Sequence, residues 1–221
     1  MIINELQKRL ITSVFLLMLL YLMLNYSYIL ISSLLIISVI TWYEVNVLIK
    51  KIFKKNDYFL KKIFILLITF FYLIFFSYEI INEFLRSMPE ISWVLLYVMI
   101  ICVLSDAGGF IFGKFFKGKK LTRISPNKTY SGAIGSFILS IIFSLIFLSL
   151  FNFINFFNGI FYPIIISLIC QLGDLLISFL KRKAKVKDTG NILPGHGGIL
   201  DRIDGILFAL PLGILLINYT Q

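Results

Sequence analysis

Residues 10–43 read LITSVFLLMLLYLMLNYSYILISSLLIISVITWY, a run without one charged side chain. As a single α-helix rising 1.5 Å per residue it would be roughly 50 Å long. That is far more than the hydrocarbon core of a bilayer, about 30 Å, requires. The run is therefore read as two spans joined by a tight helical hairpin at residues 25–27. Working outward from it, apolar stretches at 10–24, 28–49, 63–81, 91–113, 132–151, 160–180 and 203–219 make seven candidate spans.

Loop charge tests the hairpin, because Lys and Arg in short loops stay on the cytoplasmic side. With the N-terminus inside, Lys8, Arg9 and the basic clusters at 50–62, 114–128 and 181–202 all fall in the cytoplasm. Of 21 basic residues only Arg86 falls outside. A single first helix would instead put Lys8 and Arg9 on the outer face. The chain is thus expected to be an all-α integral membrane protein with about seven transmembrane helices and a cytoplasmic N-terminus. No small-residue cleavage site follows the first apolar stretch, so an uncleaved N-terminus is expected.

Composition agrees: 59% of the 221 residues are hydrophobic and the mean hydropathy is +0.96. The net charge of +10 follows from topology and from attraction to anionic headgroups, and nucleic-acid binding is not expected. Cys102 and Cys170 both lie in apolar spans, where free cysteines act as small hydrophobes. Without repeats or long linkers, one polytopic domain covering 1–221 is expected. It comprises an N-terminal helical part, 1–105, and a chemistry-bearing part, 106–221, with motifs at 124–132 and 178–204.

Ionisable groups inside a membrane are costly and usually face a polar cavity. Glu44, Asp106 and Asp174 are the acids in such positions. For Glu44, pairing with a neighbouring helix is the favoured reading. Gln171, Asp174, Ser178 and Lys181 recur every three or four residues, which lines them on one helix face as a polar stripe. Its carboxylate favours a cation site over simple interhelical hydrogen bonding. Ser105, Gly109 and Gly113 repeat every four residues, a seam that permits close helix packing. Asp106, beside that seam, is a candidate for the same cavity as Asp174.

The loop at 124–132, ISPNKTYSG, follows four lysines and Arg123. Ser125, Lys128 and Thr129 offer hydroxyls and a cation of the kind that cradles phosphate oxygens, although topology alone would also account for the charges. The segment 178–204, SFLKRKAKVKDTGNILPGHGGILDRID, is less ordinary. Five cations lead to Asp188 and then to a Pro-Gly-His-Gly-Gly turn whose glycines permit close backbone approach to a ligand. Asp201 and Asp204 stand three apart at the start of the last helix. Mg²⁺ is held by one or two carboxylates together with phosphate oxygens, the inventory present here. A plain helix cap is the alternative for Asp201. His196 is the sole histidine, which excludes a histidine-based zinc site. Chemistry that is metal-assisted and phosphate-centred remains.

The 178–204 segment resembles the signature of the phosphatidate cytidylyltransferases, membrane enzymes that make CDP-diacylglycerol. Ser178, Lys181-Arg182, Lys187-Asp188, Pro194-Gly195-His196-Gly197-Gly198 and Asp201-Arg202-x-Asp204 stand at that family's spacings. The resemblance extends to Ser125-Pro126-x-Lys128-Thr129, to Asp106 with Gly113-Lys114, and more loosely to Lys8-Arg9-x-Ile11 and Trp42-x-Glu44. Two positions depart from the family: Ser131 stands where it usually has Glu, and Gly109 where it tends to have Ala. The shortening relative to longer members is read between Trp42 and Asp106.

The resemblance implies transfer of CMP from CTP to phosphatidate, with release of pyrophosphate and a requirement for Mg²⁺. A phosphate monoester is largely dianionic at pH 7, its second pKa lying near 6, so no strong general base is needed. By the same resemblance Asp174 and Asp201 are the expected metal ligands. Lys128, Lys181, Arg182, Lys187 and Arg202 would bind phosphates, with Ser125, Thr129, Ser178, His196, Gly197, Gly198 and Asp106 assisting. Asp188 and Asp204 would orient those cations or hold a second, monovalent or divalent, cation. A homodimer in the bacterial cytoplasmic membrane, its active site facing the cytoplasm, is also implied. Rival readings are a CDP-alcohol phosphotransferase, whose Asp-Gly-x-x-Ala-Arg element is missing here, a lipid or anion transporter, and a lipid kinase.

Overall fold

In the computed structural model the first helix, α1 (Glu5–Asn25), stops where the hairpin is expected and α2 (Ser27–Ile52) starts two residues on. Tyr26 between them is extended, with φ −131° and ψ 115°. The Asn25 amide donates to the Tyr21 carbonyl at 2.7 Å, satisfying an acceptor at the helix end. Thr12 on α1 and Glu44 on α2 both bond to the segment 189–200. The start of one helix and the end of the other therefore lie together, and the pair is antiparallel.

The structure describes residues 5–53, 58–88, 92–122, 125, 128–151, 155–195 and 197–220. Among them the chain forms eight helices, the others being α3 (Phe59–Ser87), α4 (Trp93–Phe116), α5 (Tyr130–Phe151), α6 (Phe156–Lys183), α7 (Leu200–Ile203) and α8 (Ile206–Thr220). The described residues hold no strand, only isolated bridges between Lys120 and Thr129 and between Leu193 and Gly197. The all-α expectation is met. Five helices, α2 to α6, are long and apolar enough to cross a membrane. The apolar part of α1, Leu10–Asn25, and α8 are shorter. Exposed Leu17, Val39, Phe64, Phe71, Ile134 and Leu172 give these helices apolar outer faces, the reverse of a water-facing surface.

The chain divides into two compact units that interleave along the sequence. One comprises Met1–Ile91 with Leu180–Ile203, the other Ser92–Phe179 with Asp204–Gln221. In the first unit α2 packs against both α1 and α3. Leu30, Leu34, Leu48 and Ile49 of α2 and Leu73, Phe76, Ile80 and Phe84 of α3 are buried, and the hydroxyls of Ser38 and Ser77 meet at 3.0 Å.

In the second unit α4 packs against α5 and α8, and Tyr97, Val98, Ile101 and Cys102 are wholly buried. With no hydrophobic gain available between helices in lipid, contact depends on close approach and on hydroxyl bonds. Both occur: Tyr97 meets Ser144 at 2.6 Å, Ser105 meets Ser167 at 2.8 Å, and Ser136 donates to the Ser105 carbonyl at 2.6 Å.

The glycine seam of α4 packs on Gly132, Gly135 and Ser136 of α5. A Cβ at Gly108 would lie 2.5 Å from the Gly135 carbonyl oxygen and 3.0 Å from the Ser136 Cα. Only backbone stands in the way, so the helices would have to part. At Gly109 the nearest atom would be the Ser136 hydroxyl, 3.1 Å away. A small shift of that hydroxyl accommodates it. Gly108→Ala is expected to destabilise by about 1–3 kcal/mol, an overpacking cost, and Gly109→Ala by less. Thermal unfolding of the two variants in detergent measures the difference.

Candidate active site

In the first unit the segment after α6 folds around two carboxylates. α6 ends in Lys181, Arg182 and Lys183, and the chain turns at Lys185, whose φ of 56° is left-handed. It returns to α7, which presents Asp201. The Lys181 ammonium donates to Asp201 Oδ1 at 2.7 Å. Asp201 Oδ2 accepts from the Thr189 N–H at 2.8 Å, the Thr189 hydroxyl at 3.0 Å and the Gly198 N–H at 3.0 Å. The Asp201 side chain is only 5% exposed. Burial pushes its carboxyl pKa up, but the Lys181 hydrogen bond, the Thr189 and Gly198 N–H groups and the Lys181 charge outweigh it and hold the group below the ordinary carboxylate value.

Glu44 is the second carboxylate. It is 1% exposed and accepts from the Thr189 hydroxyl at 2.9 Å, the Ile199 N–H at 3.1 Å and the Leu200 N–H at 2.9 Å. Its partners are thus Thr189 and the N–H groups at the start of the short helix α7, and not a long neighbouring span. Thr189 carries one hydroxyl proton and stands between two carboxylates, so it donates to one of them at a time.

The glycine turn closes on itself. The Gly197 N–H donates to the Leu193 carbonyl at 3.2 Å and the Leu193 N–H to the Gly197 carbonyl at 2.9 Å. The left-handed φ values of Gly195 (76°) and Gly197 (87°) make the turn possible. Both Gly197 and Gly198 N–H groups are therefore engaged inside the segment. Arg182, Lys187, Asp188 and Arg202 are exposed around it. His196 lies outside the described residues, as do Arg123, Ile124, Pro126 and Asn127 of the other motif, and the side chains of Lys8 and Arg9 are likewise not described.

The second unit holds a polar cavity of about 300 Å³ among α4, the 117–129 loop, α5 and α6. Asp106, Ser125, Lys128, Thr129, Gln171 and Asp174 line it. Asp106 and Asp174 share the cavity as expected. Lys128 forms an ion pair with Asp174, both side chains about a quarter exposed, and the Ser178 hydroxyl donates to Asp174 Oδ1 at 3.2 Å. Gln171 donates to Ser167 at 3.2 Å, and the Cys170 thiol points at Asp106 Oδ1 from 3.8 Å. The polar stripe of α6 is therefore real, with Asp174 at its ionic centre. Thr129 caps α5 through the Gly132 N–H at 3.1 Å, and its hydroxyl meets that of Ser131 at 3.0 Å. Ser131 thus takes part in the cap. Asp204 accepts from the Gly205 N–H at 3.0 Å.

Among the described residues no three His, Cys, Asp or Glu side chains cluster as a ready-made metal cage. The cavity's carboxylates, amide and hydroxyls are nevertheless hard oxygen donors. They fit an ion that keeps part of its shell as water or phosphate oxygen, as Mg²⁺ does. Thr189, and Glu44 in its role as loop anchor, are the site residues that motif reading misses. The one available signal is that a Glu within an apolar span must find donors somewhere.

The fold is that of a membrane-type helical protein, with five helices long and apolar enough to cross a bilayer. The chain belongs to the Cytidylyltransferase family, whose model matches residues 2–220. It is 47% identical over 127 residues to the phosphatidate cytidylyltransferase of Staphylococcus haemolyticus, covering 56% of this chain and 49% of that protein. The Staphylococcus aureus enzyme of the same name is 48% identical with the same coverage, and that of Helicobacter pylori 43% identical over 124 residues, covering 55% and 46%. The chain thus spans about half the length of the curated relatives it matches.

Proposed function

We propose that this protein is a phosphatidate cytidylyltransferase, transferring CMP from CTP to phosphatidate to give CDP-diacylglycerol and pyrophosphate. The observation that carries the reading, beside family membership, is the cavity of the second unit. There Asp106 and Asp174, on helices apolar enough to lie in a bilayer, share a cavity with Lys128 of the loop that precedes α5. Burying such groups is costly unless a ligand uses them.

The reaction joins two anions, so charge neutralisation is the chief task. Asp174 and Asp201 are each assigned as ligands for Mg²⁺; the oxygen donors beside Asp174 support that assignment, and at Asp201 it requires Lys181 to release Oδ1. When bound, Mg²⁺ supplies electrostatic stabilisation of the phosphoryl oxygens and the leaving pyrophosphate. Lys128 exchanges its ion pair with Asp174 for phosphate oxygens. Lys181, Arg182, Lys187 and Arg202 bind nucleotide phosphates, and Asp188 and Asp204 orient those cations or hold a second cation. Ser125, Thr129 and Ser178 donate hydroxyls, Gly197 and Gly198 shape the turn, and His196 is kept from the resemblance as a substrate-binding residue. Phosphatidate, a dianionic monoester, attacks the α-phosphorus without a general base.

Seven crossings with a cytoplasmic N-terminus, and an active site facing the cytoplasm of a bacterial inner membrane, are supported by loop charge. The 15 residues of α8 make a helix of only about 22 Å, so a crossing there needs local thinning of the bilayer. The homodimer is kept from the resemblance alone. Purified protein in detergent, given radiolabelled CTP, phosphatidate and Mg²⁺, is expected to yield CDP-diacylglycerol and pyrophosphate one for one, and to stop with chelator. A folded sample that makes none, or that instead releases CMP from CDP-diacylglycerol and an alcohol, overturns the reading.

A further inference from the structure

We infer that Glu44 is a positioning residue, a buried latch on α2 that holds the 189–201 segment and, through it, sets the placement of the flanking cations Arg182, Lys187 and Arg202. Lys128 pairs with Asp174 and Lys181 with Asp201. Glu44 is 1% exposed and is met instead by two successive backbone N–H groups and a hydroxyl. Hydrogen bonds to a charged acceptor are roughly twice as strong as neutral ones, so these three fix the segment firmly.

Two glycines record the same contact. A Cβ at Gly190 would lie 2.8 Å from Glu44 Oε1, and one at Gly198 would lie 2.5 and 2.7 Å from its two oxygens. The backbone wraps directly onto the carboxylate at both places, so these glycines are bare because Glu44 occupies the space. Thr189 carries the link onward: its hydroxyl lies 2.9 Å from Glu44 and 3.0 Å from Asp201, and Asp201 in turn holds Lys181. A second tie, from Thr12 to the Pro194 carbonyl at 3.1 Å, joins the other helix of the hairpin to the same turn. The α1–α2 hairpin thereby acts as the mould for a segment flanked by exposed Arg182, Lys187 and Arg202.

The kinetic arm of the test rests on the cytidylyltransferase reading; the exchange arm does not. In full-length Glu44→Gln, purified in detergent, hydrogen exchange of the Ile199 and Leu200 amides is expected to speed about ten-fold or more, as lost charged hydrogen bonds allow. Peptides from α4 to α6 should exchange as in the wild type. KM for CTP should rise about ten-fold with KM for phosphatidate unchanged, the signature of a loosened binding segment. Thr189→Val should reproduce part of both effects and Thr189→Ser restore them. Wild-type exchange at residues 199 and 200 in Glu44→Gln overturns the latch. So does a fall in kcat with both KM values unchanged, which indicates only a smaller folded fraction. If the wild type turns over no CTP, the functional reading fails and the exchange rates alone decide the latch.

Discussion

Asp174→Asn is expected to cut CMP transfer by at least about a thousand-fold, a loss of the size seen when a group that stabilises developing charge is removed, in a protein that keeps its helical content. Asparagine preserves the shape of the side chain and can still accept from the Ser178 hydroxyl, now at 3.2 Å. What it removes is the negative charge that faces Lys128 in the cavity. Without it Lys128 loses its ion-pair partner, and the cation proposed for this site would lose the carboxylate assigned to it on α6. The side chains of this pair are about a quarter exposed, so water can solvate the stranded ammonium and the stability cost should be small. Circular dichroism and thermal unfolding in detergent, beside the transfer assay, separate the two effects. Wild-type turnover would remove Asp174 from the site.

Asp201→Asn should behave differently, losing stability as well as turnover. The Asp201 carboxylate is 5% exposed and accepts from Lys181, from Thr189 twice and from Gly198. An amide can present an oxygen to only one side of that ring of donors; its NH₂ must face N–H or ammonium groups. Breaking a buried ion pair by removing one partner costs about 3–5 kcal/mol, and the variant should unfold at a correspondingly lower temperature.

The pH dependence follows from the sign of the shift. The folded carboxyl titrates below its ordinary value of 3.8, so its contribution is fully present above that pH and is lost as pH falls through the folded pKa. Wild type and Asp201→Asn should therefore differ most near neutrality and converge as pH falls through the folded pKa, below 3.8, as thermal melts from neutral to acid pH would show. Equal unfolding temperatures at neutral pH would exclude Asp201 as the centre of the segment.

Much of this was legible in the residues themselves. The hairpin at 25–27 follows from the length of one uncharged run, and the break at Tyr26 falls inside it. Asp106 and Asp174 as partners in one cavity follow from the cost of acids in apolar spans, and α6 does bring Gln171 and Asp174 to that cavity, with Ser178 bonded to Asp174. The role of the glycine turn was less legible. Glycines announce close approach, but the atoms approaching Gly198 are the carboxylate of Glu44 and the hydroxyl of Thr189.

Apolar length, loop charge and motif spacing are properties of neighbouring residues and add along the chain. For that reason the sequence by itself determined a helical protein, the place of its long apolar helices and a short roster of acids and cations. Partnership does not add in that way. Glu44 meets Leu200 across 156 residues and Lys181 meets Asp201 across 20, because packing brings those segments together and a buried carboxylate takes whatever donors then face it. Only the tertiary structure decided that Lys128 neutralises Asp174, that the turn's N–H groups bond inward, and that an acid on the second helix holds the loop in place.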